Sequence, residues 1–146
     1  MQLQAATAAD TEEWGRRLAA ARPAAAPALT VLYLSGELGS GKTTFARGFL
    51  HGAAVSETVR SPTYTLLEPY ATHELILLHI DLYRLQRPGE IESLGLREYA
   101  RPAHLWLIEW PERGAGHLPA PDLSCAFTAA AHSHAIVFEG WPDCLF

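Results

Sequence analysis

The sequence predicts an α/β fold: a single domain in which helices flank a mixed parallel and antiparallel sheet. Three observations carry this. A short β-prone run, Thr30 to Ser35 (TVLYLS), passes through glycines into an amphipathic stretch from Lys42 to Leu50, the order of a buried strand, a loop and a helix. His104 to Trp110 (HLWLIEW) is another strongly apolar run. Two pairs of runs, Tyr64–Tyr70 with Leu75–Asp81 and Leu123–Thr128 with His134–Glu139, have the spacing of antiparallel hairpins. Strands interspersed with helices, some strands antiparallel, make a sandwich around a mixed sheet. The 146 residues suit one domain, 1–146, large enough to bury one core.

In chain order, Asp10 is placed to cap a first helix, with Glu13 completing a capping-box-like pair. Pro23 stops that helix, so it runs to about Arg22. The strand at 30–35 and the helix from Lys42 follow, and Gly52 ends that helix. Ser61-Pro62 is a rigid step in the next loop, and Ala71-Thr72-His73-Glu74 turns the first hairpin. Gly89 to Ala100 is weakly helical and broken near Gly95. A Pro/Gly-rich loop from Pro111 to Pro121 separates the strand at 104–110 from the final hairpin.

Composition narrows the function. Hydrophobic residues at 49% and charged residues at 18% describe a globular chain, not a disordered one. The net charge is −5 and no basic stripe is present. A protein that grips a phosphate backbone alone needs such a stripe, so strong direct RNA binding is not expected, and if RNA is involved another subunit holds it. Lys42 is the only lysine, and no Lys or Arg follows Arg113. Cys125 and Cys144 form neither a disulfide framework nor a metal motif; they read as reduced thiols of a cytoplasmic protein. The N-terminus lacks the layout of a signal peptide. Arg22, Pro23 and Pro27 break the Ala-rich stretch from Leu18 to Leu29, so it cannot span a bilayer.

Gly36-Glu37-Leu38-Gly39-Ser40-Gly41-Lys42-Thr43 matches the phosphate-binding Walker A pattern at every fixed position. Gly36, Gly39 and Gly41 let the backbone turn several N–H groups toward one anion. The helix that begins near Lys42 adds its positive end beneath the β-phosphate. Lys42 reaches the β- and γ-phosphates, and the Thr43 hydroxyl is a hard oxygen ligand for Mg²⁺. Thr44 continues the cradle. With a strand before and a helix after, these residues point to a P-loop NTPase-like domain.

Such a domain needs a carboxylate at a neighbouring strand end to hold Mg²⁺ or its water. Asp81 closes LILLHID and Glu109 closes HLWLIE, where ligands gather in open α/β sheets. Glu112 lies three residues beyond Glu109, within reach of the site, but reads rather as a solvated loop charge beside Arg113. Asp81, Glu109 and Thr63 are the candidates to orient an attacking water, and the sequence does not rank them. His79 fits a packed core histidine better than a site residue. The pair His132 and His134 has no third ligand at conventional spacing, so no zinc site is expected there. Arg87, Arg97 and Arg101 read as a solvated face.

Four segments together resemble the TsaE family: GELGSGKTTFARGF (Gly36–Phe49), SPTYTLLEPY (Ser61–Tyr70), HIDLYRL (His79–Leu85) and IEWPER (Ile108–Arg113). The resemblance covers most of the chain from Thr30 to about Asp122. It implies ATP and Mg²⁺ as cofactors and ATP hydrolysis in bacterial tRNA threonylcarbamoyladenosine (t6A) synthesis. It also implies work beside the TsaB and TsaD subunits, resetting their assembly between turnovers. By resemblance, Ser61 to Tyr64 is a switch-like loop responding to the γ-phosphate. Asp81 is a Walker B-like acid with Arg84 as its companion. Glu109 and Thr43 are the metal ligands, Trp110 lies near the nucleotide, and Thr11 approaches it from the N-terminal helix. Trp14 departs from the small or aliphatic residue expected at its position. Two rivals are a small-molecule kinase and a non-catalytic ATP/ADP sensor. The tail without lysine or arginine leaves little for the arginine-bearing late lid such kinases use.

Overall fold

A computed structural model describes residues 1–23, 29–62 and 64–140. The elements are β1 (Gln2–Ala5), α1 (Ala8–Ala20), β2 (Thr30–Gly36), α2 (Lys42–Gly52), β3 (Leu67–Ala71), β4 (Ile76–Asp81), β5 (His104–Glu109), β6 (Leu123–Ala129) and β7 (His134–Gly140). Short 3₁₀ segments cover Pro88–Leu94, Leu96–Tyr99 and Pro111–Gly114. The strands form one seven-stranded sheet in the order β1-β7-β6-β2-β5-β4-β3. It is mixed, as expected: β4, β5, β2 and β6 run parallel, while β3, β7 and β1 pair antiparallel.

β5 shows how the sheet sorts its side chains. Leu105 and Leu107 join the core under the helices, with Leu18, Phe45 and Phe49. Trp106 and Ile108 join the opposite core, with Leu78, Ile80 and Ile91. Covered on both faces, an inner parallel strand reads as a continuous apolar run and not as an alternation. In β4, Leu77 belongs to the helix side and Leu78 and Ile80 to the other. His79 and Asp81 therefore share the helix face with Leu107 and Glu109 of β5.

α1 and α2 pack with their backbones nearly touching. A Cβ at Gly48 would overlap the Glu12 carbonyl, and one at Gly15 would overlap the Phe45 carbonyl. Helix propensity favours Ala over Gly by up to about 1 kcal/mol, but the obstacle here is rigid backbone. Gly48→Ala is thus expected to lower the unfolding free energy by about 1–3 kcal/mol. A urea transition with an unchanged midpoint would contradict this close approach.

Several expectations need correction or completion. Thr7, not Asp10, caps α1. Its Oγ1 accepts the Asp10 N–H at 3.1 Å while Asp10 Oδ2 accepts the Thr7 N–H at 2.9 Å, so Asp10 is the second half of the box. Glu13 instead pairs with Arg16 and Arg17. The helix ends at Ala20, slightly earlier than expected. β1 has no counterpart in the sequence reading, because four residues alternating exposed and buried carry too little pattern. Its partner β7 lies at the other end of the chain. Trp14 does not disturb the register of α1: its indole N–H donates to the Gln4 carbonyl at 3.0 Å, and Thr11, Gly15 and Leu18 remain buried. Cys125 is a buried free thiol whose burial raises its pKa above the usual range; Cys144 lies outside the described residues.

Candidate functional site

The loop between β2 and α2 turns back on itself through glycines. Gly36 leaves β2 at φ +144°, where a Cβ would strike the Phe127 carbonyl. Gly41 caps α2 at φ +103° and offers no side-chain cap. The first N–H groups of α2 therefore meet no capping side chain, and helix geometry gives them no acceptor of their own. Lys42 Nζ donates to the Gly36 carbonyl at 2.6 Å, the Glu37 carbonyl at 2.7 Å and Ser40 Oγ at 3.3 Å. It also lies 4.3 Å from the centroid of the Trp110 ring.

Two carboxylates meet this loop. The parallel register of β4 and β5 sets Asp81 opposite Glu109. Thr43 Oγ1 donates to Glu109 Oε1 at 2.8 Å, and His79 Nε2 lies 2.6 Å from Glu109 Oε2. Asp81 accepts from Ser61 Oγ at 2.9 Å and from the Tyr83 N–H at 3.0 Å. Burial and the neighbouring Glu109 charge raise the Asp81 pKa above the usual carboxylate value, against the pull of those two donors. Burial lowers the Lys42 pKa, opposed by Glu109, Asp81 and Glu112.

Burying charge is costly unless it is paired or serves a ligand. Among the described residues the buried polar side chains are Thr11, Ser40, Lys42, His79 and Glu109. All five border one cleft or stand directly behind its wall. The cleft holds about 460 Å³. Thr11, Leu38, Gly39, Gly41, Lys42 and Thr43 line one side of it, and Thr44 continues that wall. Asp81, Arg84, Glu109 and Trp110 complete its lining. Gly36 and Glu37 contribute their carbonyls to Lys42, and Ser40 is buried behind the loop. Glu112 is exposed in its loop, the solvated position expected of it. Thr63 lies outside the described residues.

Trp110 holds the left-handed backbone at φ +59° and ψ +49°. For a bulky residue this conformation costs about 1–3 kcal/mol and persists only where surroundings impose it. Here its N–H donates to the Leu34 carbonyl at 3.1 Å, and its ring contacts Lys42, Arg113 and Tyr83. Arg84 stacks over Tyr64 at the cleft's edge.

The sequence reading weighed His134 only as a zinc ligand and did not place it at this cleft. Its Nδ1 sits 2.8 Å from the Ser40 carbonyl, so it donates there, and its ring lines the cleft from β7. The signal that could have found it is faint: a strand start whose neighbour in space lies 94 positions away. His132 is exposed, and no group of three His, Cys, Asp or Glu side chains among the described residues could hold a metal ion. The oxygens of Thr43, Glu109 and Asp81 do suit a hard cation that keeps waters and takes further ligands from phosphate.

A family model described as threonylcarbamoyl adenosine biosynthesis protein TsaE matches residues 5–136. The chain belongs to the TsaE family. It is 47% identical over 93 residues to the Haemophilus influenzae tRNA threonylcarbamoyladenosine biosynthesis protein TsaE, covering 64% of this chain and 59% of that one. The Bacillus subtilis TsaE protein is 40% identical over 100 residues, 68% of this chain and 62% of that one. The chain thus spans about three-fifths of the length of these two TsaE relatives. With the Rickettsia bellii TsaE protein it shares 38% identity over 120 residues, 82% and 83% of the two chains. The crystal structure of Bacillus subtilis YdiB superposes with a TM-score of 0.74 at 28% identity, covering 94% of this TsaE-family chain and 83% of that one. The likeness agrees with the P-loop NTPase-like arrangement of strand, glycine loop and helix seen in this sheet. Among the described residues no helix is long and apolar enough to cross a membrane.

Proposed function

We propose that this TsaE-family chain binds ATP with Mg²⁺ and hydrolyses it as the accessory subunit of bacterial tRNA t6A synthesis. In this role it acts with TsaB and TsaD and resets their assembly between turnovers. The observation that carries the proposal is the meeting of a buried lysine and a buried carboxylate at one glycine loop, with Thr43 bonded to the carboxylate.

The α2 N-terminus and Lys42 receive the β- and γ-phosphates. Leaving the Gly36 and Glu37 carbonyls for phosphate costs Lys42 little, since it exchanges neutral acceptors for anionic ones. Because Thr43 spends its proton on Glu109, its lone pairs are free for a hard cation. Magnesium, when bound, supplies charge neutralisation at the phosphoryl oxygens. Asp81 lies on the same face as Glu109 and directly opposite it in the register, placed to orient the attacking water. Its bond to Ser61 ties it to the segment leading toward Thr63, a loop proposed to respond to the γ-phosphate. Trp110 and Thr11 are proposed to border the nucleotide. The choice of ATP over GTP rests on family resemblance, and no Asn-Lys-x-Asp guanine motif is present. A net charge of −5 suits a subunit that leaves tRNA to its partners.

The test combines purified chain, TsaB, TsaD, ATP and Mg²⁺. ATP-dependent co-elution of the three proteins and release of free phosphate are expected. Binding of ATP without turnover in the full mixture would make the chain a sensor. Transfer of phosphate to a small acceptor would make it a kinase.

A further inference from the structure

His79 is buried to 0% exposure on a strand face where its neighbour Leu77 is an ordinary core residue. A leucine would fill such a place without desolvating polar atoms. The imidazole instead sets Nε2 2.6 Å from Glu109 Oε2, while its buried Nδ1 has no partner among the described residues. An unpaired buried nitrogen is a cost, and the Glu109 bond is what offsets it. The other Glu109 oxygen is held by Thr43 at 2.8 Å. Both carboxylate oxygens are thus held, each by its own partner, in a side chain only 1% exposed.

We infer that His79 is a positioning residue: it locks the Glu109 carboxylate in the orientation that lets Glu109 and Thr43 hold a divalent cation together. The inference rests on the metal–nucleotide reading of the cleft and extends it to a side chain that does not line the cleft. An ionised carboxylate only accepts, so Nε2 carries the proton. A proton on Nδ1 would be a buried donor with nothing to meet, so Nδ1 carries a lone pair. The contact with Glu109 therefore makes the Nε2-protonated tautomer the form expected of His79. Partners that orient metal ligands in this way typically change metal affinity by about 10- to 100-fold when removed.

Two measurements test this. ¹H–¹⁵N correlation spectra of the imidazoles in the full chain, assigned with His79→Gln, are expected to show the Nε2-protonated pattern for His79. A ring protonated at Nδ1 overturns the assignment. This spectrum needs no nucleotide, so it stands even if the wild-type chain proves unable to bind ATP, the result that would overturn the functional reading alone. In the second measurement, Mg²⁺ is titrated against ATP binding in wild type, His79→Leu and His79→Gln. The leucine variant is expected to need about tenfold more Mg²⁺ or higher, while its ATP affinity in EDTA stays within about twofold of wild type. The glutamine amide can donate to the same oxygen, so that variant is expected to stay within about threefold of wild type. Equal magnesium requirements for the leucine and glutamine variants would reduce His79 to core packing. If the leucine variant fails to fold, His79→Met takes its place, filling similar space without a donor, and a magnesium requirement equal to that of the glutamine variant again reduces His79 to core packing.

Discussion

Lys42→Ala is expected to remove most ATP affinity, about 3 kcal/mol or roughly a hundredfold in Kd. The size follows from the charge balance of the cleft. Asp81 and Glu109 already stand at its wall, and a triphosphate brings further negative charge. Lys42 is the only lysine in the chain, and Arg84 sits at the cleft's edge, stacked on Tyr64. Without the ammonium group, the helix end and backbone amides lose the one side-chain cation bonded within the glycine loop. The substitution also frees the Gly36 and Glu37 carbonyls from their donor. A thermal melt by circular dichroism should accompany the calorimetry to separate lost binding from a disturbed loop. Unchanged ATP binding by a folded Lys42→Ala variant would remove the phosphate-cradle assignment.

The second large effect is expected at Glu109. Glu109→Gln preserves shape but cannot satisfy both neighbours. His79 offers a proton to one position, so the amide oxygen turns toward it, and the amide nitrogen then faces Thr43. That nitrogen donates to the Thr43 hydroxyl and occupies a lone pair the metal would need. Magnesium-dependent phosphate release is expected to fall by about 10- to 100-fold, with ATP binding in EDTA nearly unchanged. The comparison is made with TsaB and TsaD present, since a partner can complete the site. Full activity in this variant would move the metal role to Asp81.

Much of the fold was legible before any coordinates. The parallel strands β2, β4 and β5 are long apolar runs with abrupt ends, and α2 follows its glycines without a gap. Asp81 and Glu109 were visible as acids closing two such runs. The less legible elements carry short or competing signals. β1 is four residues long and pairs with β7 at the far end of the chain. The cap of α1 went to Thr7 because Thr7 and Asp10 form a reciprocal pair, each side chain accepting the other's N–H, and spacing alone does not show which of the two opens the helix.

By itself, the sequence determined the local chemistry of this protein: a glycine-turned loop, one lysine, a threonine hydroxyl and acids at strand tips. Backbone geometry over a few residues suffices for that, because φ/ψ preference and side-chain period are local properties. Only the tertiary structure decided which distant groups meet. Strand order and register set Asp81 beside Glu109, bring His134 of β7 to the Ser40 carbonyl, and place Trp110 over Lys42. The two-residue period of β4 lays His79 against Glu109 only after β5 has come alongside. Those meetings depend on packing between segments far apart in the chain, and no local pattern encodes that distance.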